Sequence, residues 1–66
     1  MAEQIRSATR LLPPPVVTDR TSLSRTTLWR MVRRGEFPKP IPISPNRVAW
    51  SEAEVDAWIA SKMEAA

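Results

Sequence analysis

The sequence predicts a small, mainly α-helical domain with one β-hairpin, arranged as a winged helix-turn-helix. Three observations support this fold class. Two short helical patterns are separated by a tight turn, a proline-rich stretch with alternating apolar residues follows them, and a strongly marked helix comes last. We expect helices at about 15–21, 25–34 and 52–63, and a hairpin at about 41–50.

The 66 residues suffice for one domain, which we place at 11–66, preceded by a flexible N-terminal arm at 1–10. The arm is polar and lacks an apolar period, as is typical of a disordered tail. The alternative is a basic arm whose Arg6 and Arg10 touch DNA phosphate.

The first helix follows a run of three prolines. Pro13 and Pro14 keep the chain extended, while Pro15 suits a first helical turn, where no backbone N–H is needed. The helix is expected to end near Thr21 and to point Val17 into the core. At this length it depends on packing, because isolated short helices are unstable.

The second helix has a signal at each end. Ser24 is a strong N-cap candidate, and Gly35 lies just past the last turn, where a left-handed residue is favoured. At about 100° per residue, Leu28, Met31 and Val32 form one apolar stripe that faces the core.

The rest of this helix is basic and carries no acidic residue. A solvated surface explains one or two arginines, but like charges one turn apart repel, and a phosphate partner removes that cost. We therefore expect the helix to enter the DNA major groove. The predicted DNA-binding residues of the helix are Arg25, Thr26, Thr27, Trp29, Arg30, Arg33 and Arg34.

These residues are expected to fall into two groups, one that contacts base edges and one that contacts phosphates. Arg25, Thr26 and Arg30 suit base edges, since arginine forks onto guanine and the threonine methyl group meets thymine. Phosphate contacts are expected from Arg33, Arg34 and Lys39. Trp29 is either part of the core or packs on the sugar-phosphate backbone.

The segment after Phe37 switches to a strand-like pattern. Short apolar runs near 41–43 and 48–50 flank a turn, which predicts a hairpin whose first strand, interrupted by Pro42, lies at an edge. The tip carries Asn46 and Arg47, which suit a wing that reaches phosphate or the minor groove. The alternative is an ordinary hydrophilic turn.

The last helix has the clearest start, because Ser51 and Glu54 match a capping box. Val55, Trp58, Ile59 and Met63 would form its apolar face, with Trp50 and Trp58 in the core.

Charge is divided unevenly. Residues 1–50 hold nine Lys or Arg against three Asp or Glu (+6), and residues 51–66 hold one against four (−3), which gives the net charge of +3. A basic body suits a polyanion, and double-stranded DNA is the expected partner. No apolar run approaches the ~20 residues of a membrane span and no signal peptide is visible, so we expect a cytoplasmic protein without membrane contact.

Composition argues against an enzyme. The chain has no Cys, no His and one Gly, which removes disulfides, the usual metal ligands, the commonest catalytic groups and any Gly-rich phosphate loop. Glu52, Glu54 and Asp56 are explained by a solvated helix face better than by acid/base chemistry. We predict no catalytic residue, no metal site and no cofactor.

Three motifs resemble the AlpA family of small prophage regulators, which is close to excisionases and to the MerR-type winged helix: "LSRTTLWRMVRRGEFPKP", "RVAW" and "SEAEVDAWI". The similarity covers about 11–62. It implies a DNA-binding winged helix-turn-helix with its recognition helix at Arg25–Arg34 and its wing centred on Arg47. The chain departs from the family in its triple proline and in Trp29, where tyrosine is common.

The resulting prediction is a sequence-specific DNA-binding protein of a phage or mobile element, acting as an excisionase, a transcriptional regulator, or both. Several copies are expected side by side, because so small a domain makes few contacts. A phage packaging subunit is a third possibility. The alternative from another class is a protein-interaction module whose acidic helix, 51–66, docks an integrase or another basic partner.

Overall fold

The computed structural model describes residues 10–66. Its elements, in chain order, are β1 (Leu11–Leu12), α1 (Pro14–Thr21), α2 (Arg25–Arg33), β2 (Ile41–Ser44), β3 (Arg47–Ser51) and α3 (Glu52–Ala65). Three helices and an antiparallel sheet in this order confirm the predicted winged helix-turn-helix. The predicted arm lies outside the described residues except for Arg10, whose backbone carbonyl accepts a hydrogen bond from the N–H of Glu52 at 2.9 Å.

The sheet has one more strand than the sequence predicted. Its strand order is β1-β3-β2, and β1 pairs with β3 through Leu11 opposite Ser51 and Leu12 opposite Trp50. Leu12 is extended in part because Pro13 follows it. A two-residue strand shows no alternation, so the sequence carries no signal for its pairing.

Helix α1 begins one residue earlier than expected, at Pro14, after an extended Pro13. It ends at Thr21, as predicted. Ser22 then adopts a left-handed conformation (φ 63°), and its N–H donates to the carbonyl of Thr18 at 2.9 Å. This reversal directs the chain from α1 into α2 and forms the turn of the helix-turn-helix.

Helix α2 is closed at both ends as the sequence predicted. The Ser24 hydroxyl oxygen accepts a hydrogen bond from the N–H of Thr27 at 3.1 Å. After Arg33, Gly35 adopts a φ of 74°, and the N–H groups of Gly35 and Glu36 bond back to carbonyls of the last turn. This is the Schellman arrangement, in which a left-handed residue ends a helix. Two capped ends hold the short helix at a fixed length.

The wing is the β2–β3 hairpin, which turns through Pro45 and Asn46 between the paired residues Ser44 and Arg47. Asn46 has a φ of 69°. Proline followed by a residue with positive φ is the pattern of a type II turn, and asparagine tolerates the left-handed region better than most residues. The register shifts between Pro42 and Ser44, so β2 has a bulge next to the turn.

Replacing Asn46 with alanine should destabilise the wing turn, because alanine in the left-handed region costs roughly 1–2 kcal/mol. Asn46→Gly is the matched control and should keep stability within a few tenths of a kcal/mol, since glycine enters this region freely. Urea unfolding followed by far-UV circular dichroism measures both. Equal stability of the alanine and glycine variants would contradict this reading of the turn.

The core takes one or more residues from nearly every element. Seven hydrophobic residues are buried: Leu12, Val17, Leu28, Phe37, Ala49, Trp50 and Val55. Met63, which the sequence placed on the apolar face of the last helix, is 73% exposed, so that prediction is wrong. Every residue from 60 onward is exposed, because α3 extends beyond the body of the domain.

The four aromatic residues form one chain of contacts through this core. Ring centroids are 5.4 Å apart for Trp29 and Trp50, 6.3 Å for Trp50 and Phe37, and 4.9 Å for Phe37 and Trp58. The indole N–H of Trp50 donates to the carbonyl of Pro38 at 2.7 Å, which ties the loop after α2 to the sheet. Trp50 is fully buried, as predicted, whereas Trp58 packs against the core half-buried.

Candidate nucleic-acid interface

Helix α2 separates an apolar side from a basic side. Leu28 is fully buried, and Met31 and Val32 are half-buried against the core. The exposed residues are Arg25, Thr26, Arg30 and Arg33, followed by the C-cap residue Arg34. The predicted core stripe is therefore confirmed, and the arginines lie on the solvent side.

Thr27 differs from the other residues predicted for this helix. It is half-buried, its N–H donates to the Ser24 hydroxyl, and its own hydroxyl accepts a hydrogen bond from Ser24 Oγ at 3.0 Å. Both of its polar groups therefore take part in the N-cap of α2.

Trp29 occupies the boundary between core and surface. It is half-buried and contacts the buried Trp50, and it also lines an open groove. The sequence left a choice between a core residue and one that packs on the sugar-phosphate backbone. The structure packs Trp29 against the core and also places it in the lining of the groove, and its contact with DNA stays a prediction.

The groove lies between the beginning of α1, the beginning of α2 and the wing, and its volume is about 500 Å³. Its lining residues are Pro13, Pro14, Pro15, Arg25, Trp29, Asn46, Arg47 and Val48. It thus brings four predicted site residues together from two separate elements. The three prolines were not predicted to belong to the site, because prolines before and at a helix start are fully explained by the local backbone.

The beginning of α1 offers the groove no free backbone N–H. Pro14 and Pro15 have none, and the N–H groups of Val16 and Val17 both donate to the carbonyl of Pro13, at 3.0 and 3.1 Å. A helix N-terminus usually binds anions through such groups. Donors to an anion in this groove must therefore come from side chains.

The remaining predicted residues lie outside the groove. Thr26, Arg30, Arg33 and Arg34 lie along the exposed side and end of α2, and Lys39 is exposed in the loop before β2.

Arg20 differs from these cations because it forms ion pairs within the domain. It bridges α1 and α3 through Glu52 Oε2 at 2.8 Å and Asp56 Oδ1 at 3.0 Å. Within residues 10–66 these are the two ion pairs, so the arginines of α2 and the wing have no acidic partner there. The sequence did not single out Arg20, because its partners lie more than thirty positions further along the chain.

Residues 10–66 contain neither a metal-ligating cluster nor a helix suited to a membrane span. No cluster of three His, Cys, Asp or Glu residues able to hold a metal ion occurs in this range. None of the helices described has the length and apolarity that crossing a bilayer requires.

Comparison with known proteins identifies relatives over almost the whole described range. The family model for the prophage CP4-57 regulatory protein (AlpA) matches residues 10–63. An uncharacterized protein of Enterobacteria phage P4, ORF88, is 39% identical over 54 residues, which represent 82% of this chain and 61% of that protein. This chain therefore spans less than two thirds of the phage protein.

A second relative matches over most of both chains. The DNA-binding transcriptional activator AlpA of Escherichia coli (strain K12) is 32% identical over 63 residues, with coverage of 86% of this chain and 90% of that protein. Given this match and a family model that spans residues 10–63, the chain belongs to the AlpA family of prophage regulatory proteins.

Proposed function

We propose that this protein is a sequence-specific regulator of transcription that binds double-stranded DNA for a phage-type element. The observation that carries the proposal is the meeting of Arg25 and Arg47 in one groove, beside a helix whose exposed side holds further arginines. Acidic partners for them are lacking within residues 10–66. The E. coli relative, described as a DNA-binding transcriptional activator, supports the same function.

The dimensions of α2 suit the major groove. An α-helix with its side chains is about 10–12 Å across, and a major groove about 12 Å wide admits it. Buried Leu28 and the two caps hold the helix rigidly. In this proposal Thr26 and Arg30 read base edges, and Arg33, Arg34 and Lys39 contact phosphates. The wing then reaches the adjacent backbone or minor groove.

The size of the domain favours several copies on one site. Its longest extent is 35 Å, close to one turn of B-DNA at about 34–36 Å. Copies bound side by side at a spacing of one turn would each face the same side of the duplex. We therefore propose tandem binding to repeated half-sites, which compensates for the few contacts of each copy.

An excisionase role would use the same surface and stays a prediction of the family resemblance. It requires the protein to bend attachment-site DNA, and a circular-permutation gel assay with the selected site measures the bend. A mobility that is independent of site position would contradict that role and leave the regulator function intact.

The alternative of a protein-interaction module is weakened by the ion pairs of α3. Two of the carboxylates that would attract a basic partner, Glu52 and Asp56, are already bound to Arg20. Docking of an integrase on this helix stays a prediction.

The proposed function is tested by the salt dependence of binding. With three to five phosphate contacts, a plot of log affinity against log salt concentration should have a slope of about −2.7 to −4.5. The duplex is selected from a random-sequence library, and affinity is measured by filter binding between 50 and 200 mM salt. Lys62→Ala is the control, because Lys62 lies on α3 over Trp58, at the opposite end of the aromatic chain from Trp29. A slope near zero, or equal affinity for a scrambled duplex, would overturn the proposal.

A further inference from the structure

We propose that the groove between the prolines, α2 and the wing seats one phosphodiester of the bound DNA. Arg25 and Arg47 would hold the phosphate, and the exposed part of Trp29 would pack on the adjoining deoxyribose. This inference rests on the proposed function and refines it, because it moves Arg25 from base reading to backbone binding.

The charges that line the groove favour an anionic ligand. Arg25 is the first residue of α2 and Arg47 the first residue of β3, so two arginines from independent elements line one groove. No acidic residue lines this groove. Two cations facing a shared space repel each other unless an anion lies between them, and guanidinium groups bind phosphate oxygens in a bidentate geometry.

The walls of the groove suit the sugar that carries this phosphate. Pro15 and Val48 contribute apolar surface, and Trp29 adds the part of its ring that does not face Trp50. With backbone N–H groups missing at the start of α1, the groove combines apolar walls with a few cationic side-chain donors. A deoxyribose with its phosphate has the matching character, an apolar ring next to a concentrated negative charge.

The arrangement also separates positioning from specificity. A phosphate held by both α2 and the wing fixes how deeply the helix enters the major groove, since the two elements then share one anchor. Thr26 and Arg30, which do not line the groove, remain free for base edges.

The experiment neutralises one phosphate at a time. Each linkage of the selected duplex is replaced in turn by an uncharged methylphosphonate, and affinity is measured for the wild type, Arg25→Ala, Arg47→Ala and the double variant. We expect one linkage per half-site whose neutralisation weakens the wild type about tenfold and leaves the double variant unaffected. The double variant should lower the steepness of the salt plot by about 0.9, the value for one phosphate, and each single variant should lower it by less.

The two arginines should also behave as a unit. Because they hold the same phosphate, their effects should be non-additive in a double-mutant cycle. Arg25→Ala should weaken binding equally for all single-base variants of the site. Both side chains are exposed, so the variants are expected to fold, and far-UV circular dichroism verifies this.

Two results would overturn the inference. One is that no single linkage is shared by Arg25 and Arg47. The other is that Arg25→Ala relaxes the preference at one base pair, which would identify it as a base reader. If salt-dependent, sequence-preferring binding persists in either case, the proposed function stands without the groove. If the wild type shows no such binding, both the proposed function and the inference about the groove are overturned.

Discussion

Replacing Trp50 with alanine should remove a large part of the free energy of unfolding at 25 °C. Trp50 has no solvent exposure and contacts both Trp29 and Phe37. Removing a buried tryptophan costs about 3–5 kcal/mol, and a domain of this size has a total stability of roughly 3–10 kcal/mol. The variant also loses the hydrogen bond to the Pro38 carbonyl. Urea unfolding followed by far-UV circular dichroism measures the loss.

Two variants separate the causes of this effect. Trp50→Phe keeps an aromatic ring in the core and removes the N–H donor, so it should cost less than alanine, about 1–3 kcal/mol for the unpaired carbonyl and lost volume. Met63→Ala changes an exposed side chain and should stay within about 0.5 kcal/mol of the wild type. A Trp50→Ala protein with a free energy of unfolding within 1 kcal/mol of the wild type would refute the central role of this residue.

Removing Arg25, Arg30 and Arg47 together should abolish specific DNA binding while the fold stays intact. The three side chains are exposed, so little packing is lost. Each removes one charge-assisted contact of about 1.5 kcal/mol or more, and the combined change should raise Kd at least ~100-fold near 0.1 M salt. Filter binding with the selected duplex measures the change.

The control for this triple variant must match its charge. Three Arg→Ala changes lower the net charge from +3 to 0, and so do Lys62→Glu (−2) and Ala60→Glu (−1) on α3. If binding depends on the surface formed by α2 and the wing, the control should lose far less affinity than the triple variant. Equal losses would show that only net charge matters, and unchanged binding by the triple variant would refute the interface.

Most of the fold could be predicted from the sequence because its elements carry local signals. Ser24 and Gly35 mark the ends of α2, Ser51 marks the start of α3, and the prolines with Asn46 mark the wing turn. Each signal acts through the backbone within a few residues. The closer likeness to the MerR group stays a prediction.

The parts that could not be predicted depend on contacts between distant segments. Strand β1 exists because Leu11 and Leu12 meet β3, about forty positions away. Arg20 of α1 likewise forms an ion pair with a residue of α3 that is distant in the sequence. Met63 was misassigned because helical periodicity indicates which side of a helix is apolar, and it does not indicate where the core beneath that side ends.

The candidate site also has one part that local sequence patterns predict and another part that depends on contacts between distant segments. Helical periodicity sufficed to place the arginines of α2 on one side of the helix. The groove itself needs three stretches of chain, at 13–15, 25–29 and 46–48, to come together. The position of Trp29 between core and groove is a property of that assembly and has no counterpart in the local sequence.

The chain of aromatic rings also allows occupancy of the groove to be followed by tryptophan fluorescence. The protein has three tryptophans and no tyrosine, and neighbouring rings lie within 6.3 Å of one another. At such separations excitation energy passes readily between the indoles. Trp29 lines the groove, and Trp50 is fully buried in the core. Because excitation energy passes between the two rings, a ligand that quenches Trp29 also lowers the fluorescence of Trp50. Intrinsic fluorescence therefore reports occupancy of the groove from inside the domain, without any attached label.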